Sequence, residues 1–347
     1  MHAMCDIVHS IVYMDMELLR HIIVLLVTSG FIFFIGNRFA VASSRLGDAL
    51  KLHKSVKGAT FDAIASSLPE IMVALFSVIF FNSFDVGIGT IAGSALFNLL
   101  VIPGIAVLVA PVAFTVHKHV ISRDAMFYVI SVFILAALTM YFQSWGIGIA
   151  IFLLALYWYY VRVIVRHTKE FRGEQTDHDI GGDGQINIKR EVVIAILAML
   201  GMGIVTYFLT EATIGIAHAL DIPPVLAAFV LTAAATSLPD TVISVKNAKN
   251  GDIDDAAANV FGSNIFDILV GLGLPLLIFN LMNGSVMIAF DYIEMLIGLL
   301  GATILVLYFL AETNTLSKRR AISMLVLYAL FIVYVVALGK GLVVNVV

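Results

Sequence analysis

A chain of 347 residues that is 61% hydrophobic and only 13% charged carries about half the charged fraction of a soluble domain, and so reads as a polytopic membrane protein. Its formal net charge of −4 is spread over loops and points to no nucleic-acid partner. The single Cys5 excludes a disulfide framework and any cysteine-built metal site.

From Met1 to Leu18 the chain has acidic residues and no Lys or Arg, unlike a cleavable signal peptide. Apolar runs long enough to span a bilayer then follow at 19–43, 58–81, 86–113, 124–142, 145–165, 192–218, 223–248, 255–280, 286–311 and 321–345. The expected fold is all-α, with ten transmembrane helices. Gly and Pro in the third and eighth runs predict bends there. One long polar stretch, 166–190, divides the runs five and five. The expected organisation is a first half over 1–165, a linker, and a second half over 191–347. Within the linker, Asp177-His178-Asp179-Ile180-Gly181-Gly182-Asp183-Gly184 suggests a calcium loop. It lacks the acidic twelfth position of an EF-hand and reads as a flexible linker.

Charge sets the orientation. The Lys and Arg residues gather in the loops after the first, third, fifth, seventh and ninth runs, and only Arg20 and Lys340 fall on the other side. The positive-inside rule therefore places both termini outside a cell membrane and residues 166–190 in the cytoplasm. With five helices per half, the second half enters the membrane from the side opposite to the first. Two like halves so arranged form an inverted-topology repeat.

The repeat is legible residue by residue. Ser66-Ser67-Leu68-Pro69-Glu70 returns as Thr236-Ser237-Leu238-Pro239-Asp240, an offset of 170. Gly93-Ser94-Ala95-Leu96-Phe97-Asn98 returns as Gly262-Ser263-Asn264-Ile265-Phe266-Asp267, an offset of 169, with one residue fewer in the intervening turn. The two signature regions cover roughly 58–104 and 227–275. Carboxylates inside apolar spans are costly and point to function.

Each motif helix sets a hydroxyl four residues before an oxygen-rich side chain: Ser66 with Glu70, Ser94 with Asn98, Thr236 with Asp240, Ser263 with Asp267. That spacing puts both groups on one helix face. Four converging faces would form a cage of hard oxygens, suited to Ca²⁺ and to Na⁺ rather than to zinc or copper. Pro69 and Pro239 offer no N–H to Ala65 and Ala235, so both helices are expected to kink or break, freeing carbonyls near 63–66 and 233–236. Broken helices at matching places in two halves mark a transport site. The bland alternatives are specific. A Ser or Thr in a membrane helix ordinarily bonds its own i−4 carbonyl. Gly89, Gly93, Ala258 and Gly262 read as close-packing surfaces rather than ligands. Glu211, Asp291, Glu294 and Glu312 read as interfacial residues near helix ends.

At these motifs the chain resembles the sodium/calcium exchanger family of the cation/calcium antiporter superfamily. Gly58-Ala59-Thr60-Phe61, Val86-Gly87-Ile88-Gly89-Thr90-Ile91 and Gly262–Asp267 look most like its potassium-dependent branch. The resemblance implies Ca²⁺ extrusion driven by entering Na⁺, by alternating access, with no cofactor. It implies Glu70 and Asp240 as central ligands, with Asn98 and Asp267 beside them. Ser66, Ser67, Ser94, Thr236, Ser237 and Ser263 would add side-chain oxygens, and Ala63 and Ala233 backbone carbonyls. Two departures stand out. Ala65 and Ala235 replace a Gly common in the family, and Asp240 replaces a Glu common in short prokaryotic members.

Asp267 would bring a third charge beside Glu70 and Asp240, so it must hold a proton or be balanced by a further cation. The likeness to the potassium-dependent branch favours K⁺, while the short loops leave the proton open. A Ca²⁺/H⁺ antiporter is the nearest rival; such relatives carry an Asn two or three places before the motif Glu, where this chain has Ser67 and Leu68. A passive cation channel is a second rival, and uphill transport separates the two. No H-E-x-x-H or G-x-S-x-G pattern supports an enzyme.

The topology is testable by single-cysteine labelling in a Cys5-free background. An impermeant reagent should fail to reach a cysteine at position 178 in intact cells; labelling there would reverse the orientation.

Overall fold

A backbone crossing lipid must satisfy its own N–H and C=O groups, and apolar runs of this length do so as helices. The computed structural model describes residues 2–50, 57–116, 124–170, 186–288 and 293–343. Among these residues the helices fall into ten segments. The first half holds α1 (His2–Ala49), α2 (a π-helical turn Gly58–Asp62 leading into Ala63–Ile79), α3 (Phe84–Val109), α4 (Met126–Tyr141) and α5 (Ile147–Glu170). The second half holds α6 (Ile188–Ala219), α7 (Pro224–Thr236 and Leu238–Asn250), α8 (Ile253–Phe266, a π turn Asp267–Gly271, then Gly273–Asn283), α9 (Ile293–Thr313) and α10 (Lys318–Gly339). Eight are long and apolar enough to cross a membrane, and the two arms of α7 together make a ninth. At 16 residues α4 is shorter.

Several boundaries differ from expectation. The ninth run was expected from 286, but Gly284 takes φ 82° and ends α8, after which Val286–Met287 forms a strand. The third run forms one helix: α3 continues through Pro103 without a break. The eighth run is indeed interrupted, by its π turn. The linker residues 177–184 and Asp291 lie outside the described residues.

Short strands tie the halves together. β1 (Phe114–Thr115) and β2 (Ser144–Trp145) belong to the first half, β3 (Val286–Met287) and β4 (Thr315–Leu316) to the second. β1 pairs antiparallel with β4, and β2 with β3. Exchanging each strand for its counterpart in the other half turns one ribbon into the other, as a two-fold relation requires.

Burial is uneven. Helices α2, α3 and α8 are mostly enclosed, whereas α1 and α6 pack along each other and leave large apolar side chains such as Leu26, Phe34, Leu197 and Ile204 exposed. In a membrane that surface faces acyl chains. One seam at the centre is closed and its counterpart is not. A Cβ on Gly93 would lie 2.1 Å from the Phe229 carbonyl oxygen, and one on Gly89 would lie 2.6 Å from that of Val225, so the first arm of α7 rests directly on α3. At Gly262, the repeat counterpart of Gly93, a Cβ would meet nothing within 4 Å. Gly89 and Gly93 are thus packing surfaces, as their size suggests, while Gly262 is not one in this arrangement.

Gly93→Ala should therefore destabilise the protein by about 1–3 kcal/mol through overpacking. Gly262→Ala should be neutral or stabilising by about 0.5–1 kcal/mol, because Ala outranks Gly inside a helix. Thermal unfolding in detergent measures both, and equal losses would contradict the difference between the seams.

Candidate functional site

The motif residues meet at the centre of the bundle. Helix α2 brings Ala63, Ser66, Ser67 and Glu70, α7 brings Ala233, Thr236, Ser237 and Asp240, α3 brings Ser94 and Asn98, and α8 brings Ser263 and Asp267. All twelve are buried. Local backbone explains their approach. The two arms of α7 bend by 45° at Ser237, which leaves helical geometry at ψ 2° just before Pro239. Helix α2, by contrast, stays helical through Pro69, so the break expected there is not found. Both helices instead share a π turn one to two turns upstream, at Gly58–Asp62 and Ala228–Thr232, matched at the offset of 170. A third π turn begins at Asp267 itself. Such turns recur at functional sites, since they widen the helix and loosen its carbonyls.

Glu70, Asp240 and Asp267 each offer one carboxylate oxygen, and these lie within 4.8 Å of one another. Ser94 Oγ donates to Glu70 Oε1 at 3.4 Å and lies 2.8 Å from Ser237 Oγ. Asn98 Nδ2 donates to Asp240 Oδ2 at 3.1 Å. Thr236 lies against Glu70, while Ser66 and Ser263 lie against Asp240. Each hydroxyl of α2 and α7 thus lies beside the carboxylate of the other repeat rather than only beside the one four residues on in its own helix. Ser66 Oγ also donates to the Ala63 carbonyl at 3.3 Å, and Thr236 Oγ1 to those of Thr232 and Ala233 at 3.0 and 3.3 Å. Ser263 Oγ likewise donates to Val260 at 3.4 Å. These three follow the ordinary habit of a membrane hydroxyl, while Ser94 and Ser237 turn to each other across the repeats.

The electrostatics are one-sided. Two unit charges at this spacing repel by roughly 3–4 kcal/mol at an effective dielectric of about 20. Ion pairs among the described residues include Arg45 with Glu191 at 3.0 Å, Lys57 with Asp48 at 2.7 Å, and Arg320 with Glu312, and none of these involves the three central acids. Glu70 Oε2 and Asn98 Oδ1 are buried without a hydrogen-bond partner, and the carboxylate of Asp267 has no partner at hydrogen-bond distance, with the hydroxyl of Ser67 lying against it. Orphaned acceptors packed this closely require positive charge, as metal ions or protons. A set of carboxylate, amide and hydroxyl oxygens is the donor chemistry of Ca²⁺, which takes about 6–8 oxygens in flexible geometry.

Three residues of this network were not singled out from the sequence. Asn259 Nδ2 donates to Ser244 Oγ at 2.9 Å and to Asp240 Oδ1 at 3.4 Å. Asn264 joins Asn98 to the Ala95 carbonyl. Their counterparts in the first repeat are Thr90, Ala74 and Ala95, and a polar residue replacing an apolar one inside a span was the available signal for Ser244 and Asn264. Glu294 is buried in the first turn of α9, Glu211 is exposed, and Glu312 pairs with Arg320 near the start of α10.

One family model, described as sodium/calcium exchanger protein, matches residues 20–166 and again residues 191–337. The chain belongs to the sodium/calcium exchanger family. Its relatives include the inner membrane protein YrbG of Escherichia coli (strain K12), 28% identical over 71% of this chain and 76% of that protein. The uncharacterized membrane protein MJ0091 of Methanocaldococcus jannaschii is 27% identical over 85% of this chain and 91% of its own. The human sodium/potassium/calcium exchanger 4 is 35% identical, over 38% of this chain and 21% of that protein. Among solved structures, the sodium-calcium exchanger NCX_Mj soaked with Na⁺ and Ca²⁺ superimposes with a TM-score of 0.62 at 23% identity, over 90% of this chain and 97% of that one. That likeness establishes a shared fold. The exchanger is therefore a multi-pass membrane protein of a cation-exchanging family.

Proposed function

We propose that this exchanger moves Ca²⁺ out of the cell against an inward flow of Na⁺, by alternating access at one shared site. The observation that carries the reading is the buried triad of Glu70, Asp240 and Asp267, surrounded by partnerless oxygens. Glu70 and Asp240 act as the central ligands, Asn98 and Asp267 flank them, and Ser66, Ser67, Ser94, Thr236, Ser237 and Ser263 complete the oxygen set with the carbonyls of Ala63 and Ala233. The halves 1–165 and 191–347 are inverted copies joined by the cytoplasmic linker 166–190. Both termini lie outside the cell membrane, as the distribution of basic residues supports.

Exchange follows from competition. The acids accept either a divalent ion or several monovalent ones, and either filling cancels enough charge to let the site close against lipid-embedded protein. The empty site stays hydrated, because bare carboxylates at a dry interface are costly. Switching means closing one seam and opening its counterpart. The closed contact at Gly93 and the open one at Gly262 support this two-seam scheme. Each net charge moved is worth about 2.3 kcal/mol per 100 mV, so the Na⁺ gradient and the membrane potential both drive Ca²⁺ outward.

Purified protein in Na⁺-loaded proteoliposomes should take up ⁴⁵Ca²⁺ only while the outward Na⁺ gradient lasts. Uptake driven by a proton gradient and indifferent to Na⁺ would establish a Ca²⁺/H⁺ antiporter instead; downhill flux alone would establish a channel. Glu70→Gln and Asp240→Asn should each reduce Na⁺-driven uptake to background while leaving a folded protein. Near-normal exchange by either, at matched protein amount, removes that residue from the site.

We further propose that K⁺ balances the third acid, Asp267. The sodium/potassium/calcium exchangers among the relatives support this. Exchange at clamped potential should slow when choline replaces K⁺, and Asp267→Asn should abolish that dependence. Equal wild-type rates with and without K⁺ would leave a protonated Asp267 as the account.

A further inference from the structure

An amide has two unlike ends, whereas a carboxylate has two like ones. Asp267 presents an oxygen to the pocket whichever way it turns. Asn98, its repeat counterpart, presents either an oxygen or an NH₂ group, and only the oxygen can meet a cation. Something must therefore hold the Asn98 amide in one sense.

Two strong contacts do so, both through Nδ2: it donates to Asp240 Oδ2 at 3.1 Å and to Asn264 Oδ1 at 3.0 Å, with Ser94 Oγ a longer third acceptor at 3.4 Å. Oδ1 is left buried and partnerless. The sense of Asn264 is itself determined. Its other amide atom faces the Ala95 carbonyl at 3.1 Å, and a carbonyl only accepts, so that atom is Nδ2 and the atom facing Asn98 is Oδ1. Asn264 is fully buried and also lies against Tyr128, whose hydroxyl accepts from Thr303 Oγ1 at 3.3 Å. The orienting amide is thus anchored on α3 at one side and on α4 and α9 at the other.

The two contacts are not equivalent in use. Asp240 is a central acid, and a bound cation or proton claims its lone pairs. Asn264 touches none of the three acids in a hydrogen bond among the described residues, so its hold on Asn98 does not depend on occupancy. We infer that Asn264 is a positioning residue that keeps Asn98 Oδ1 turned toward the cation pocket in both filled and empty states. The repeat supplies an internal comparison. At the offset of 169, the pair Asn98 with Asn264 corresponds to the pair Asp267 with Ala95. Where the pocket residue is an amide, its partner across the repeats is an orienting Asn. Where it is a carboxylate, which needs no orienting, the partner is Ala.

This inference rests on the cation-binding reading of the same pocket. The test uses the full chain in detergent, with Ca²⁺ and Na⁺ added separately and the apparent Kd read from the ion-induced rise in Tm. Asn264→Ala should weaken Ca²⁺ binding about tenfold, the factor that about 1.4 kcal/mol produces. In an Asn98→Asp background the same substitution should cost about twofold or less, since a carboxylate at 98 needs no orienting. In proteoliposomes Asn264→Ala should raise the KM for Ca²⁺ with a smaller change in maximal rate. Asn264→Leu, which keeps the branched shape of Asn without its polar atoms, carries the test if the alanine variant does not fold. An equal loss in both backgrounds would make Asn264 a packing residue and overturn the inference. Wild-type protein stabilised by neither ion would overturn both this and the exchange reading. Stabilisation by Ca²⁺ without Na⁺-driven uptake would overturn the exchange reading alone.

Discussion

Three carboxylates buried within 4.8 Å of one another, with no cationic side chain paired to them among the described residues, set the terms for everything around them. A protein core does not tolerate such a cluster unless charge arrives from outside. The surrounding helices serve that need in two ways. They deliver oxygens from both repeats to one point, and they enclose the three acids completely. The π turns in α2, α7 and α8, and the bend at Ser237, lie in the elements that carry the acids. Helix α3, which has no such turn, runs unbroken beside them.

Symmetry accounts for much of the site, and its failures are informative. Crossed pairs such as Thr236 with Glu70 and Ser66 with Asp240 follow from the relation between the halves. The Asn98/Asp267 difference does not. It leaves the pocket with three acids and one amide, and it coincides with the Ala95/Asn264 difference next to it. A second asymmetry is conformational: the backbone of α7 fills the space beside Gly93, while the space beside Gly262 is open. The first asymmetry is chemical and written in the residues. The second lies in the packing of the helices and not in the residues themselves, since both positions are Gly.

The periphery is organised differently. Helices α1 and α6 contact each other along their length and turn large apolar side chains outward. They meet the core chiefly through α2 and α7, the helices that carry the Pro motifs. In lipid such a surface carries no hydrophobic penalty, because acyl chains solvate an exposed Leu as well as another apolar side chain does.

The sequence by itself determined the class of fold and the identity of the acids. Hydrophobic length sets the number of helical runs, and a carboxylate within such a run is too costly to be incidental, so Glu70, Asp240 and Asp267 stood out with no knowledge of contacts. The repeat offsets of 170 and 169 paired the motifs for the same reason, since a match in rare polar positions within apolar sequence is hard to obtain by chance. Only the tertiary structure decided which hydroxyl faces which acid. Spacing along one helix pairs Ser66 with Glu70, but helix crossing turns Ser66 toward Asp240. It also decided that Pro69 leaves α2 helical while α7 bends beside Pro239, because packing across the bundle, and not the missing N–H alone, sets how far a helix opens. The role of Asn264 was equally out of reach: an amide's sense depends on the partner at each of its two ends, and those partners, Ala95 and Asn98, meet it only across the halves.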